Sequence, residues 1–268
     1  MSSLLDPAIL FFIFGIFAGL IKSNLAIPEQ ISKFLSLYLL MALGLKGGFA
    51  LAENGFTGEI ASVIVIGLIL AFVIPVIGYT VLRHKLNGFD AAAVAATYGS
   101  VSAVTFVTAT QHLTAINVDY GSYMAAVMAL MESPAIIMAV ALAAYIRASN
   151  SISIKHVLHE SFTDGAHILL LAALAIGFIT GVPGQEVMKP FVGDLFKGLL
   201  AFFLLDMGLQ VAKRIPELRD KSTALMAYAV AAPVVHSLVA LLLAVLFGVT
   251  VGNAILLMVL AASASYIA

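Results

Sequence analysis

The chain of 268 residues is 62% hydrophobic and 10% charged, with a mean hydropathy of +1.12 and a formal net charge of −1. A water-soluble domain needs far more polar surface, so this composition excludes one and indicates an integral membrane protein. With no basic tract there is no nucleic-acid binder, and with no cysteine there are neither disulfides nor thiolate metal sites.

The start, Met1-Ser2-Ser3-Leu4-Leu5-Asp6, carries no basic n-region and no small-residue cleavage site, so no cleaved signal peptide is expected. Nine hydrophobic segments follow, at about 7–22, 29–46, 60–82, 90–113, 121–146, 165–182, 190–212, 222–247 and 252–268. They are continuous apolar runs of roughly 15–25 residues rather than short alternating ones, which excludes a β-barrel and predicts an all-α polytopic membrane protein. Turn signals separate them at Pro28, Gly47-Gly48, Asn87-Gly88, Gly181-Val182-Pro183-Gly184 and Gly248.

The stretch from Arg147 to Gly165 is the long polar connector, and it divides the chain into 1–146, a cytoplasmic connector 147–164, and 165–268. Lys and Arg give the orientation. With the N-terminus outside, the inside loops hold Lys22, Lys33, Arg83, Lys85, Arg147, Lys155, Lys213, Arg214, Arg219 and Lys221. Lys46, Lys189 and Lys197 fall outside, so the bias favours an outer N-terminus.

Leu39-Leu40-Met41-Ala42-Leu43-Gly44-Leu45 reads like Leu204-Leu205-Asp206-Met207-Gly208-Leu209, and Gly99-Ser100-Val101-Ser102 reads like Ser263-Ala264-Ser265 at nearly the same offset. A unit of five helices is odd, so the second copy starts on the opposite face of the membrane. The expectation is two inverted five-helix repeats with about nine helices present. On this count the second unit stops within its fourth helix, and the protein is expected to continue beyond Ala268.

The segment from Ala95 to Thr108 is long enough to span a bilayer, yet its centre is small and hydroxylated. Gly99, Ser100, Ser102 and Thr105 lower helix propensity and offer hard oxygen donors suited to Na⁺, while the N–H groups of a half-helix N-terminus suit a small anion. A small-residue packing seam is the competing reading. Glu132, in Met131-Glu132-Ser133-Pro134, is an acid near the middle of a span, where it costs at least ~2.5 kcal/mol and so faces the protein interior. Pro134 cannot donate to the Leu130 carbonyl, which leaves that oxygen beside the carboxylate.

Asp90 precedes Ala91-Ala92-Ala93 and reads best as a helix cap. Asp206 lies about two turns before Lys213-Arg214 and could be reached by water or a snorkelling base. Lys46 reads as an interfacial anchor. His156 and His159 fit a solvated surface helix better than a metal site, and His236 fits a packed neutral ring. No transition-metal set, phosphate loop or nucleophile elbow is visible, which disfavours an intramembrane enzyme built on Glu132 and His236.

Several stretches, in chain order, resemble one family, the sodium-dependent bicarbonate transporters first known from cyanobacteria. They are Ala26-Ile27-Pro28-Glu29, Leu43-Gly44-Leu45-Lys46-Gly47-Gly48, Phe89-Asp90-Ala91, Gly99-Ser100-Val101-Ser102, Met131-Glu132-Ser133-Pro134-Ala135, Gly198-Leu199-Leu200, Met207-Gly208, Glu217-Leu218-Arg219, Ala232-Pro233-Val234-Val235-His236 and Ala261-Ala262-Ser263-Ala264-Ser265. The resemblance implies ten helices in two inverted repeats, a gate and a core subdomain, and two discontinuous helices crossing in the core. It implies Na⁺ as coupling ion with no organic cofactor, bicarbonate as substrate, a homotrimer in the bacterial inner membrane, and a PII-like regulatory protein docking on the cytoplasmic side. The connector is shorter than in the cyanobacterial members, and Tyr266 stands where they have an acid.

On that resemblance the anion site is expected at Gly99, Ser100, Val101, Ser102, Ala264 and Ser265. Na⁺ is expected at Ser102, Thr105, Glu132, Ser263 and Ser265, held where two half-helix N-termini hold the anion. Asp90 and Asp206 stand as further candidates. The alternatives are a Na⁺-coupled carrier of another small anion or organic carboxylate, and a non-transporting membrane sensor or scaffold.

Overall fold

The computed structural model describes residues 6–146, 165–220 and 222–265. The connector with His156 and His159, and Tyr266, lie outside the described residues. All regular structure among the described residues is helical. In chain order the α-helices are α1 (Pro7–Leu20), α2 (Glu29–Asn54), α3 (Gly58–Leu82), α4 (Gly88–Gly99), α5 (Ala103–Ala115) and α6 (Met124–Ile146). They continue with α7 (Gly165–Lys189), α8 (Phe196–Arg214), α9 (Thr223–Leu246) and α10 (Val251–Ala262).

Short polar residues start the helices: Asp6, Thr57, Asn87, Ser102 and Ser222 each accept a first-turn N–H with their side chain. Five stretches among the described residues are long and apolar enough to cross a membrane: Glu29–Asn54, Gly58–Leu82, Gly88–Ala115, Gly165–Asp194 and Thr223–Leu246. Their outer faces carry large apolar side chains such as Val76, Val81, Ile179, Val230 and Leu242, and α1 adds Phe11, Phe14 and Phe17. That much apolar surface is stable only against lipid or another apolar partner. The chain is an all-helical polytopic membrane protein.

One expected turn is not a turn. Gly47-Gly48 lies inside α2, which runs eight residues past the predicted end. Both glycines are buried there, Gly47 facing the α6 backbone at Ala125 and Ala126, Gly48 facing α7 at Leu174, Gly177 and Phe178. Gly181-Val182-Pro183-Gly184 does interrupt α7, as expected. Gly181 leaves the helical region (φ 52, ψ −141), and helical structure resumes after it and continues through a π turn at Pro190–Asp194 to reach α8. In hydrocarbon an unpaired backbone group costs several kcal/mol, so α2 stays helical through Gly47-Gly48, which would favour ending a helix in water.

The packing is pairwise. α1 lies on α8 and α2 on α7, while α3 lies on α4 and α6, and α9 lies on α10. Small residues one turn apart make the first two seams. Gly44 and Gly48 of α2 meet Ala173 and Gly177 of α7, and Gly15 and Gly19 of α1 meet Gly208 and Ala212 of α8. Contacts advance in the same direction on both helices of each pair, so the partners run parallel. α2 also touches α5, α6 and α8, and so joins the paired seams to the remaining helices.

A buried polar knot fixes the start of α10. The Asn253 Nδ2 lies 3.0 Å from Glu59 Oε1, 2.8 Å from the Tyr123 hydroxyl and 3.0 Å from Thr250 Oγ1. Its Oδ1 accepts from the Gly121 N–H at 2.8 Å. Glu59, from the first turn of α3, also accepts from the Thr250 N–H at 3.2 Å and hydroxyl at 2.7 Å, so it caps α10 from another helix. Asn253→Ala is expected to cost about 2–3 kcal/mol, because the buried Tyr123 hydroxyl and the part-buried Gly121 N–H and Glu59 carboxylate lose a partner together. For a chain of this size that lowers the thermal midpoint in detergent by roughly 5–10 °C. An unchanged midpoint would mean the knot is slack.

Candidate ion and anion site

The fourth hydrophobic segment is broken at its centre. α4 stops at Gly99, Ser100 is extended (φ −80, ψ 169), and Ser102 (φ −96, ψ 110) starts α5. The Ser102 Oγ accepts from the Thr105 N–H at 3.2 Å and lies 2.9 Å from the Thr105 hydroxyl. This is a serine doing what serine does at an N-cap, here at membrane depth. α10 ends at Ala262, and Ser263 is extended (φ −81, ψ 154).

The two breaks meet. The Ser102 N–H donates to the Ser263 Oγ at 3.0 Å, and that hydroxyl donates to the Leu260 carbonyl at 2.9 Å. The Ser265 N–H donates to the Thr97 carbonyl at 2.8 Å. From a third helix, Glu132 of α6 accepts from the Ser100 Oγ at 2.9 Å. Ser100, Ser102, Glu132, Ser263 and Ser265 are all buried, as is Val101. Thr105 and Ala264 are exposed, so the cluster opens to its surroundings on those sides.

The sequence candidates therefore sort by position. Ser100, Ser102, Thr105, Glu132, Ser263 and Ser265 are brought together through 160 residues of chain separation. Gly99 sits there for clearance, since a Cβ would lie 2.1 Å from Pro75 Cγ of α3. Asp90 is at the far, exposed end of α4, where it supports the N-cap: its N–H donates to Asn87 Oδ1 at 2.9 Å and its carboxylate accepts from the Asn87 side-chain Nδ2 at 2.6 Å. The cap itself is Asn87, not Asp90. Asp206 is buried in α8, and its carboxylate accepts from the Ser32 hydroxyl of α2 and from Gln210 Nε2 at 2.8 Å. Neighbouring polar side chains satisfy it, not the bases of the last turn.

Helix ends set the electrostatics. The C-termini of α4 and α10 both point into the cluster, and their partial negative charge adds to that of Glu132 to favour a cation. Helix geometry supplies no donor to the carbonyls of Tyr98 and Gly99, which adds hard oxygens to the hydroxyls. The N-terminus of α5 carries the opposite sign. With the Thr105 N–H taken by Ser102, the first-turn donors left over are those of Ala103 and Val104, a place for an anion. Of the two half-helix N-termini expected at the anion, the described residues supply this one.

Around the cluster, Tyr98 packs edge-on against Tyr228 and His236 of α9, at 5.5 and 5.7 Å between ring centroids. His236 is buried and packs as a ring against Tyr98 at the end of α4. Sequence reasoning missed Glu59, Asn253 and Tyr123, which hold the other end of α10. Nothing in their local spacing marked them. The glycine and alanine pairs of the two seams did carry a signal, a four-residue spacing of small residues in apolar helices.

No curated protein sequence matches the chain. A family model for the Na⁺-dependent bicarbonate transporter superfamily matches residues 7–268, which takes in every helix and both breaks described above. The chain belongs to the Na⁺-dependent bicarbonate transporter superfamily.

Proposed function

We propose that the protein is a secondary transporter that couples inward movement of bicarbonate to Na⁺ by alternating access. The observation that carries this reading is the convergence of Ser100, Ser102, Ser263 and Ser265 with Glu132 at two interrupted helices. Na⁺ sits among hydroxyl, carbonyl and Glu132 oxygens at the negative ends of α4 and α10. Bicarbonate takes the N–H groups at the start of α5, and the cation beside it offsets its charge. Each ion lowers the cost of placing the other in a low-dielectric cavity, which is the physical basis of the coupling.

The paired seams support the rest of the reading. α1 with α8 and α2 with α7 form the gate, and α3 to α6 with α9 and α10 form the core that carries the crossover. The matched roles of α1 to α4 and α7 to α10 are those of inverted repeats spanning 1–146 and 165–268. The protein lies in a bacterial inner membrane with its N-terminus outside, as the Lys and Arg distribution favours, and assembles as a trimer.

Radiolabelled bicarbonate uptake into proteoliposomes tests the reading. An inward Na⁺ gradient is expected to speed uptake at least about tenfold over a choline gradient, the scale of a coupling free energy of ~1.4 kcal/mol. Uptake indifferent to Na⁺ rejects the coupling, and a panel of small carboxylates as competitors separates bicarbonate from other monoanions.

A further inference from the structure

A cavity of about 400 Å³ lies between α2, α5 and the turn from α7 to α8, apart from the crossover. Its mouth carries Lys197 and Glu53, and its wall carries Lys46, Thr110 and Gln111. Lys46 is half-buried in the second half of α2, and its Nζ lies 3.7 Å from the centroid of the Phe196 ring. The ammonium's described partner is thus an aromatic face, while Lys197 is close enough to repel it. Two ammonium groups against one carboxylate, with neutral donors between them, select for an anion. At about 30 Å³ per water, the space takes a small anion with part of its hydration shell.

The floor of the cavity points at the crossover. Phe106 and Val107 line it and are buried, and the Phe106 N–H donates to the Ser102 carbonyl at 3.0 Å. Phe106 is therefore one helical turn from the residue that caps α5, and it lines the cavity together with Leu43 of α2. A lysine within a membrane-spanning helix is costly and as a rule marks a substrate path or a paired charge, and among the described residues its close partner is the Phe196 ring.

We propose that this cavity is a second anion site, a vestibule in which Lys46 holds bicarbonate or a similar small oxyanion before it passes Phe106 to the crossover. This rests on the transport reading above, and its test keeps the two separable. In the intact protein, Lys46→Met is expected to raise the half-saturating bicarbonate concentration about tenfold, as for loss of one charge-assisted contact, with maximal uptake within about twofold of the original. Lys46→Arg is expected to hold the original value. Independently of transport, acylation of Lys46 by an amine-reactive ester, read by mass spectrometry against exposed Lys33, is expected to slow when bicarbonate is added at constant pH and ionic strength, with or without Na⁺. Protection without Na⁺-driven uptake keeps the vestibule and removes the coupled-transport reading. Intact Na⁺-driven uptake with no protection of Lys46, or with Lys46→Met kinetics unchanged, overturns the vestibule.

Discussion

Glu132→Gln is expected to raise the Na⁺ concentration for half-maximal uptake by about 100-fold or more while the protein still folds and inserts. Breaking a buried charge pair by removing one member costs about 3–5 kcal/mol, and 3 kcal/mol is already more than a hundredfold in affinity. The substitution keeps the side chain's size, and an amide oxygen can still accept from the Ser100 hydroxyl that now donates to Glu132 at 2.9 Å. What disappears is the acidic group beside the buried serines Ser100, Ser102, Ser263 and Ser265, and with it the negative charge that the proposed Na⁺ would pair with. Na⁺ titrations of uptake in proteoliposomes, with thermal stability measured on the same preparation, check this. An unchanged Na⁺ dependence in a folded variant places the cation away from Glu132.

The second large effect concerns the close seams of α1 with α8 and α2 with α7. Gly48→Leu is expected to lower the thermal midpoint in detergent by roughly 10 °C, or to prevent recovery of a monodisperse protein. A Cβ at Gly48 would lie 2.2 Å from the Leu174 carbonyl oxygen and 2.6 Å from the Phe178 nitrogen, both backbone atoms that cannot swing aside. α2 and α7 must then separate along their length, and such overpacking costs about 3 kcal/mol, or roughly 6–12 °C for a chain of this size. Gly208→Leu is expected to behave alike, since its Cβ would lie 2.2 Å from the Phe12 carbonyl oxygen. Gly198→Ala provides the opposite sign. Nothing lies within 4 Å of that position, so alanine's better helix propensity is expected to add about 0.5–1 kcal/mol. Heating followed by size-exclusion chromatography reads all three. Equal midpoints for Gly48→Leu and Gly198→Ala would refute the close seams.

No step in lipid is driven by water leaving the interface between two helices, so van der Waals fit sets how tightly they pack. That makes the glycine pairs and the vestibule two consequences of one arrangement. Close seams bring α2 against α7, and the same α2 presents Lys46 to the space beside α5.

Sequence by itself determined the membrane class, most helix positions and the location of the break at 100–102. Hydrocarbon demands long apolar runs with internally paired backbone, and only protein-facing places tolerate a run such as Gly99-Ser100-Val101-Ser102. It also placed Glu132 inside, because an acid in lipid is too costly to face outward. The same reasoning ended α2 at Gly47-Gly48, since it judged glycine by its behaviour in water, where breaking a helix is cheap. Tertiary structure decided what distant residues do to one another. It chose Ser263 as the acceptor for the Ser102 N–H, Ser32 and Gln210 as the partners of Asp206, and Glu59 as the cap of α10. Hydrogen bonds have no sequence range, so a partner up to 194 positions away is fixed only when the helices are packed.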